Sequence, residues 1–169
     1  TPPFFMPIPL LETRKFIKHF GDLVANDAID LVAYAGEVHA VLGENGAGKS
    51  TLMKSLYGFH RPTSGEILLN GQPTVISSPL EGRRLGIGMV FQNFTLIPAM
   101  SVLENIALFL PETGVTIQRN QIESRIREIG ERYALPVDPN ARVADLSMGE
   151  RQRVEILKIL LAGAKILIF

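Results

Sequence analysis

The octapeptide Gly43-Glu44-Asn45-Gly46-Ala47-Gly48-Lys49-Ser50 decides the fold. It fits G-x-x-x-x-G-K-[ST], a pattern that carries chemistry only when a strand runs into it and a helix leaves it. Both flanks qualify: Glu37 to Leu42 reads as a strand, and Lys49 to Tyr57 places Leu52, Met53 and Leu56 at helical spacing. Glycines let backbone N–H groups approach phosphate oxygens in conformations that a side chain would obstruct. Lys49 adds a mobile cation for β- and γ-phosphates, Ser50 a hydroxyl for Mg²⁺, and the helix start a positive dipole end. A glycine-rich turn can match the pattern by accident, but the strand and helix on either side favour a nucleotide site. Gly86-Ile87-Gly88, in contrast, lacks the third glycine of a dinucleotide fingerprint and marks only a strand start.

Further along the chain, Gly65-Glu66-Ile67-Leu68-Leu69-Asn70-Gly71 predicts a short strand closed by an Asn-Gly turn. Ser78-Pro79-Leu80-Glu81 opens a helix, with serine at the N-cap, proline at the first helical position and glutamate placed for a capping box. Gly86 to Gln92 returns to strand character. Beyond Gln92 the pattern turns helical, beginning with a second capping box, Ser101-Val102-Leu103-Glu104, ahead of Ile106, Ala107 and Leu110. Ile122, Ile126, Ile129 and Tyr133 share one face of a charged segment, which predicts an amphipathic helix. Ser147-Met148-Gly149-Glu150 has capping-box form again and precedes Val154, Leu157 and Leu161. The run Lys165 to Phe169 has the character of a strand buried on both faces. An α/β core interrupted by a helical insert follows, dividing the chain into residues 1–92, 93–146 and 147–169.

Composition narrows the partners. The chain has 169 residues, 46% of them hydrophobic, enough for one ordinary core. Lysine and arginine total 17, as do aspartate and glutamate, so no charge imbalance calls for a nucleic-acid partner. The absence of cysteine removes disulfide scaffolds, thiol catalysis and cysteine-ligated metal. Pro2, Pro3, Pro7 and Pro9, with no basic residue before them, make the start an extended arm and not a secretory signal. Lys158 and Lys165 interrupt the apolar stretch from Ile156 to Phe169, which is too short to cross a bilayer as a helix. Since a domain rarely ends inside a buried strand, the chain is expected to be C-terminally incomplete.

A phosphate loop alone leaves GTPases, kinases, helicases and transport ATPases open. Leu146-Ser147-Met148-Gly149-Glu150, followed by Arg151-Gln152-Arg153, resembles the LSGGQ signature of ATP-binding cassette (ABC) proteins. Met148 stands where the family has glycine and Glu150 where it has glutamine, while Ser147 and Gly149, which the family uses to touch the γ-phosphate, are in place. Gln92 resembles the Q-loop glutamine, and Phe20 in Lys18-His19-Phe20-Gly21 the A-loop aromatic that stacks on adenine, although an aromatic there also serves in core packing. The run Gly36 to Lys54, the segment Ser78 to Val90 and Arg153-Val154-Glu155-Ile156-Leu157-Lys158 look like the ATPase subunits of bacterial importers for simple sugars and nucleosides.

The resemblance implies a P-loop NTPase core of ABC type with an N-terminal β subdomain and a helical insert. It implies ATP held by Phe20, Gln92 and the run Gly43, Glu44, Asn45, Gly46, Ala47, Gly48, Lys49, Ser50 and Thr51, and Mg²⁺ held by Ser50 and Gln92. A second ABC domain would pair head to tail, so that its phosphate loop faces Leu146, Ser147, Met148, Gly149 and Glu150. Transmembrane permease subunits would dock on the helical insert, with Phe94, Leu96, Ile97 and Met100 as the candidate surface, and an extracytoplasmic substrate-binding protein would act indirectly. The resemblance also implies a place of work at the cytoplasmic face of the membrane. The aspartate and glutamate that in the family follow the strand matching Lys165–Phe169 do not occur here, so this chain by itself is expected to be no competent ATPase. Three other readings stay open: a non-hydrolysing regulatory module, an ABC ATPase outside transport, and a different P-loop enzyme. The 55 positions from Gln92 to Ser147 leave no room for the long coiled coil of chromosome-maintenance members.

Overall fold

The fold, a computed structural model, describes residues 7–91, 93–110 and 119–169. Gln92 and most of the proline-rich start lie outside the described residues. The chain forms two compact units, one ending at Gly82 and the other running from Arg83 to Phe169.

In the first unit, β1 (Leu11–Phe20) and β2 (Leu23–Ala33) make a long antiparallel hairpin. β3 (Ser64–Leu69) pairs with the other side of β1, and β4 (Gln72–Pro73) completes the order β2-β1-β3-β4. This is the expected β subdomain. The β3–β4 connection is the predicted turn: Asn70 and Gly71 both take positive φ, +51° and +75°, as a two-residue hairpin turn requires. Phe16, Ile67, Leu68 and Ile76 are buried in this unit. Helix α1 (Lys49–Tyr57) buries Leu52, Leu56 and Tyr57 and stops at Gly58, whose φ of +101° closes its C-terminus. At the start of α2 (Pro79–Arg84), the Ser78 hydroxyl accepts the Glu81 N–H at 3.2 Å, as expected. The Glu81 carboxylate reaches one residue further back than a regular box, accepting the Ser77 N–H at 2.8 Å and the Ser77 hydroxyl.

The expected strand over Glu37–Leu42 does not form. Among the described residues no segment pairs with it, and Val38 and Leu42 are exposed. A strand is defined by lateral hydrogen bonds as much as by its own apolar pattern, and without a neighbour the pattern is insufficient.

In the second unit, β5 (Ile87–Met89) pairs in parallel with β6 (Ile166–Ile168), joining Ile87 to Ile166 and Met89 to Ile168. The predicted terminal strand is therefore present, though only Ile168 in it is buried, because a single neighbour covers it. A Cβ at Gly88 would meet the Ala164 Cβ at 3.0 Å and the Ile159 side chain at 3.1 Å, so the glycine admits the end of the helix that leads into β6 close to the strand. That helix, α5 (Met148–Leu161), shares a core with α3 (Val102–Phe109) and α4 (Arg119–Arg132): Val102, Ile106, Ile122, Ile126, Val154 and Leu161 are all buried. The Ile122 and Ile126 stripe is the one the spacing predicts, whereas Tyr133 lies past the helix end and is exposed. Phe94 and Leu96 pack against this same core, so of the four residues expected to form a docking surface these two are taken up internally, while Ile97 is exposed and Met100 half-buried. The stretch looks apolar in sequence because half of it faces inward.

Candidate functional site

The glycine loop belongs to the first unit. Gly43 to Ala47 are exposed, Gly46 and Gly48 take φ of +88° and +82°, and Gly48 is the N-cap of α1. Among the described residues no side chain caps this helix, and its first turn holds no acidic residue, so its leading N–H groups have no side-chain acceptor among them. The Lys49 ammonium arches back over the loop and donates to the Gly43 carbonyl at 2.6 Å and the Glu44 carbonyl at 2.7 Å. Left-handed glycines, open helix N–H groups and a cation held over them make a concavity suited to an anion, with phosphate oxygens able to replace the two carbonyls as Lys49 acceptors. Ser50 is exposed at the first turn, and Thr51 beside it is half-buried, its carbonyl accepting the Ser55 hydroxyl at 2.8 Å. The donor set thus fits a nucleotide phosphate. No cluster of three His, Asp or Glu exists among the described residues. Mg²⁺ would rest on Ser50, phosphate oxygens and water, a donor set it commonly accepts.

Phe20 ends β1 and is 42% exposed. The His60 ring meets it edge-on at 5.1 Å between centroids, and the Lys18 ammonium lies 5.0 Å from its centroid. The ring is a surface platform and not a core residue. His60 is the group that braces it.

The Leu146–Glu150 stretch belongs to the second unit. Leu146 packs against the helical core, Ser147 is the N-cap of α5, and Met148 is exposed. The capping box is complete: the Ser147 hydroxyl accepts the Glu150 N–H at 3.3 Å and donates to Oε2 of Glu150 at 2.7 Å, and the same carboxylate accepts the Ser147 N–H at 2.9 Å. The side-chain and backbone hydrogen bonds from Ser147 hold the Glu150 carboxyl below the usual range. Glu150, where the family has glutamine, therefore also organises the serine beside it. A Cβ at Gly149 would meet nothing within 4 Å, so nothing among the described residues demands a glycine there. Open space of that kind suits close approach by an outside group.

Three functional candidates escaped sequence reading. Asn26 is the lone buried residue of β2 and donates to the phosphate loop at Gly48. Glu155 and Lys158, on the inner face of α5, hold Thr95, three residues after Gln92.

A glycine loop entering an uncapped helix in one unit, and a capped signature helix in the other, define a P-loop protein of the ATP-binding cassette class. The chain belongs to the ABC transporter family, whose sequence profile matches residues 27–169. It is 50% identical over 161 residues to the ribose import ATP-binding protein RbsA 1 of Rubrobacter xylanophilus, covering 95% of this chain and 32% of that protein. It is 50% identical over 153 residues to the nucleoside import ATP-binding protein NupA of Lactococcus lactis, covering 90% and 30%. The chain thus spans about a third of the length of the curated relatives it matches. Among solved structures, the ADP conformation of MJ1267, an ATP-binding cassette of an ABC transporter, superposes with a TM-score of 0.81 at 26% identity, over 94% of this chain and 67% of that one. CbiO1 from Clostridium perfringens gives 0.78 at 29% identity, over 94% and 64%.

Proposed function

We propose that this chain is part of the ATP-binding subunit of an ABC importer for a simple sugar or a nucleoside. The observation that carries the reading is the pairing, in one chain, of the Lys49-capped glycine loop with the Ser147–Gly149 helix start, in a sequence half identical to ribose and nucleoside import ATP-binding proteins. Gly43, Glu44, Asn45, Gly46, Ala47 and Gly48 offer backbone N–H groups to the phosphates, Lys49 neutralises the β- and γ-oxygens, and Ser50 and Thr51 supply hydroxyls at the helix start. Phe20 offers its exposed ring to adenine. Bound Mg²⁺ would offset charge between β- and γ-phosphates, with Ser50 as its ligand and Gln92 as the second candidate. Residues 1–92 form the nucleotide-binding core in this reading, 93–146 the insert that meets the permease, and 147–169 the signature helix and the strand returning to the core.

Ser147 and Gly149 would face the γ-phosphate on a second ATPase domain, so that closure of the pair requires ATP. Permease subunits carry that closure across the membrane, and an extracytoplasmic binding protein delivers the substrate. In this reading the chain works peripherally at the cytoplasmic face of the membrane; no helix among the described residues is long and apolar enough to span a bilayer. The test is ATP-driven uptake of labelled ribose and of labelled nucleosides into vesicles carrying the whole importer. Uptake of one class, abolished by Lys49→Ala, supports the reading. Uptake indifferent to Lys49→Ala contradicts it.

A further inference from the structure

β2 inverts the usual logic of a strand at one position. Asn26 is its one buried residue, at 5% exposure, while Leu23, Val24 and Val32 face solvent. A buried amide is costly unless it is hydrogen-bonded, so a polar side chain at the inward position calls for a reason. Its Nδ2 donates to the Gly48 carbonyl at 3.2 Å, and its Oδ1 finds no partner among the described residues. Chemistry fixes that orientation, because a carbonyl only accepts and the group facing it must be the NH₂.

Gly48 is where β2 and the phosphate loop touch. A Cβ there would fall 2.1 Å from the Ala25 carbonyl oxygen and 2.7 Å from Asn26 Nδ2, which no side chain tolerates. The Gly48 carbonyl also accepts the Leu52 N–H at 2.9 Å, the first rung of α1. It is thus held from two sides, by its own helix and by β2. A trans peptide is planar with its C=O and N–H opposed, so fixing the Gly48 carbonyl fixes the direction of the Lys49 N–H.

We propose that Asn26 is a positioning residue for nucleotide binding: its amide holds the Gly48–Lys49 peptide so that the Lys49 N–H faces the phosphate before nucleotide arrives. The inference rests on the reading of residues 43–51 as the nucleotide site. Asn26 acts through Gly48 and not by touching the ligand, and its effect is preorganisation of a donor that would otherwise need ordering on binding.

The test uses the full chain and two variants that keep asparagine's branching at Cγ. Asn26→Leu removes the donor together with the orphaned Oδ1, so its Tm stays at or above the wild-type value while its affinity for Mg·ATP falls roughly three- to tenfold. Asn26→Asp sets an acceptor against the Gly48 carbonyl and costs more affinity than leucine does. ATP binding at wild-type strength in either variant overturns the proposal, and so does a fall in Tm that accounts for the lost affinity, which makes Asn26 a packing residue. Failure of the wild-type chain to bind ATP overturns the site assignment itself and is thereby distinguished from failure of the inference.

Discussion

Glu155 and Lys158, one turn apart on α5, form an ion pair at 2.7 Å with exposures of only 1% and 4%. Thr95 completes the arrangement. Its N–H and hydroxyl donate to Oε1 of Glu155 at 2.6 and 2.9 Å, and its hydroxyl accepts the Lys158 ammonium at 2.6 Å. The Lys158 charge also lies 5.0 Å from the centroid of the Phe109 ring.

Breaking such a pair from one side should be far worse than removing both charges. Glu155→Ala leaves a buried ammonium uncompensated and is expected to cost about 3–5 kcal/mol, whereas Glu155→Leu with Lys158→Met should cost little or even stabilise. Denaturant unfolding of the full chain checks this. A single variant losing less than about 1 kcal/mol would show that water or another group compensates the charge.

The two complete capping boxes give a pH signature. Hydrogen bonds from Ser101 hold the Glu104 carboxyl below its usual range, as those from Ser147 do for Glu150. A carboxyl whose folded pKa is depressed contributes stability above its unfolded pKa and loses it as pH falls through the folded value. Glu104→Gln and Glu150→Gln should therefore each flatten the acid limb of the unfolding curve followed by circular dichroism. An acid limb unchanged in both variants would contradict the role given to these carboxylates.

Two glycines should separate fold from function. A Cβ at Gly58 would fall 2.4 Å from the Ser78 carbonyl oxygen, at a φ of +101°, so Gly58→Ala should lose more than about 1 kcal/mol. Gly149 faces open space, so Gly149→Ala should leave Tm within a few degrees of wild type yet weaken ATP-dependent association, followed by analytical ultracentrifugation. Equal thermal losses in the two variants would refute the distinction.

Local chemistry was the legible part of this fold. Ser101 with Glu104, Ser147 with Glu150, and Asn70 with Gly71 each declare a cap or turn within four residues, and each forms as expected. The β1–β2 hairpin was much harder to see. Register shifts near Thr13, Phe16 and Lys18, with positive φ at Lys15 and Ala28, break the alternation that would announce two strands. Glu37–Leu42 failed in the opposite sense, with strand-like residues and no lateral partner. Of the candidate site, the contiguous loop and the signature helix were readable because their residues are neighbours in sequence. Asn26 and the Thr95–Glu155–Lys158 cluster were not, since each joins residues tens of positions apart.

Everything proposed for this chain depends on residues 43–51 binding the phosphates of ATP. Isothermal titration of the full chain with Mg·ATP, wild type against Lys49→Ala, tests it most directly. The Lys49 ammonium touches only exposed loop carbonyls, so the substitution should leave Tm nearly unchanged. Wild type should bind saturably at one site, with binding lost or weakened at least about tenfold in the variant, as befits removal of a charge-assisted contact. Binding of equal strength in both proteins would contradict it.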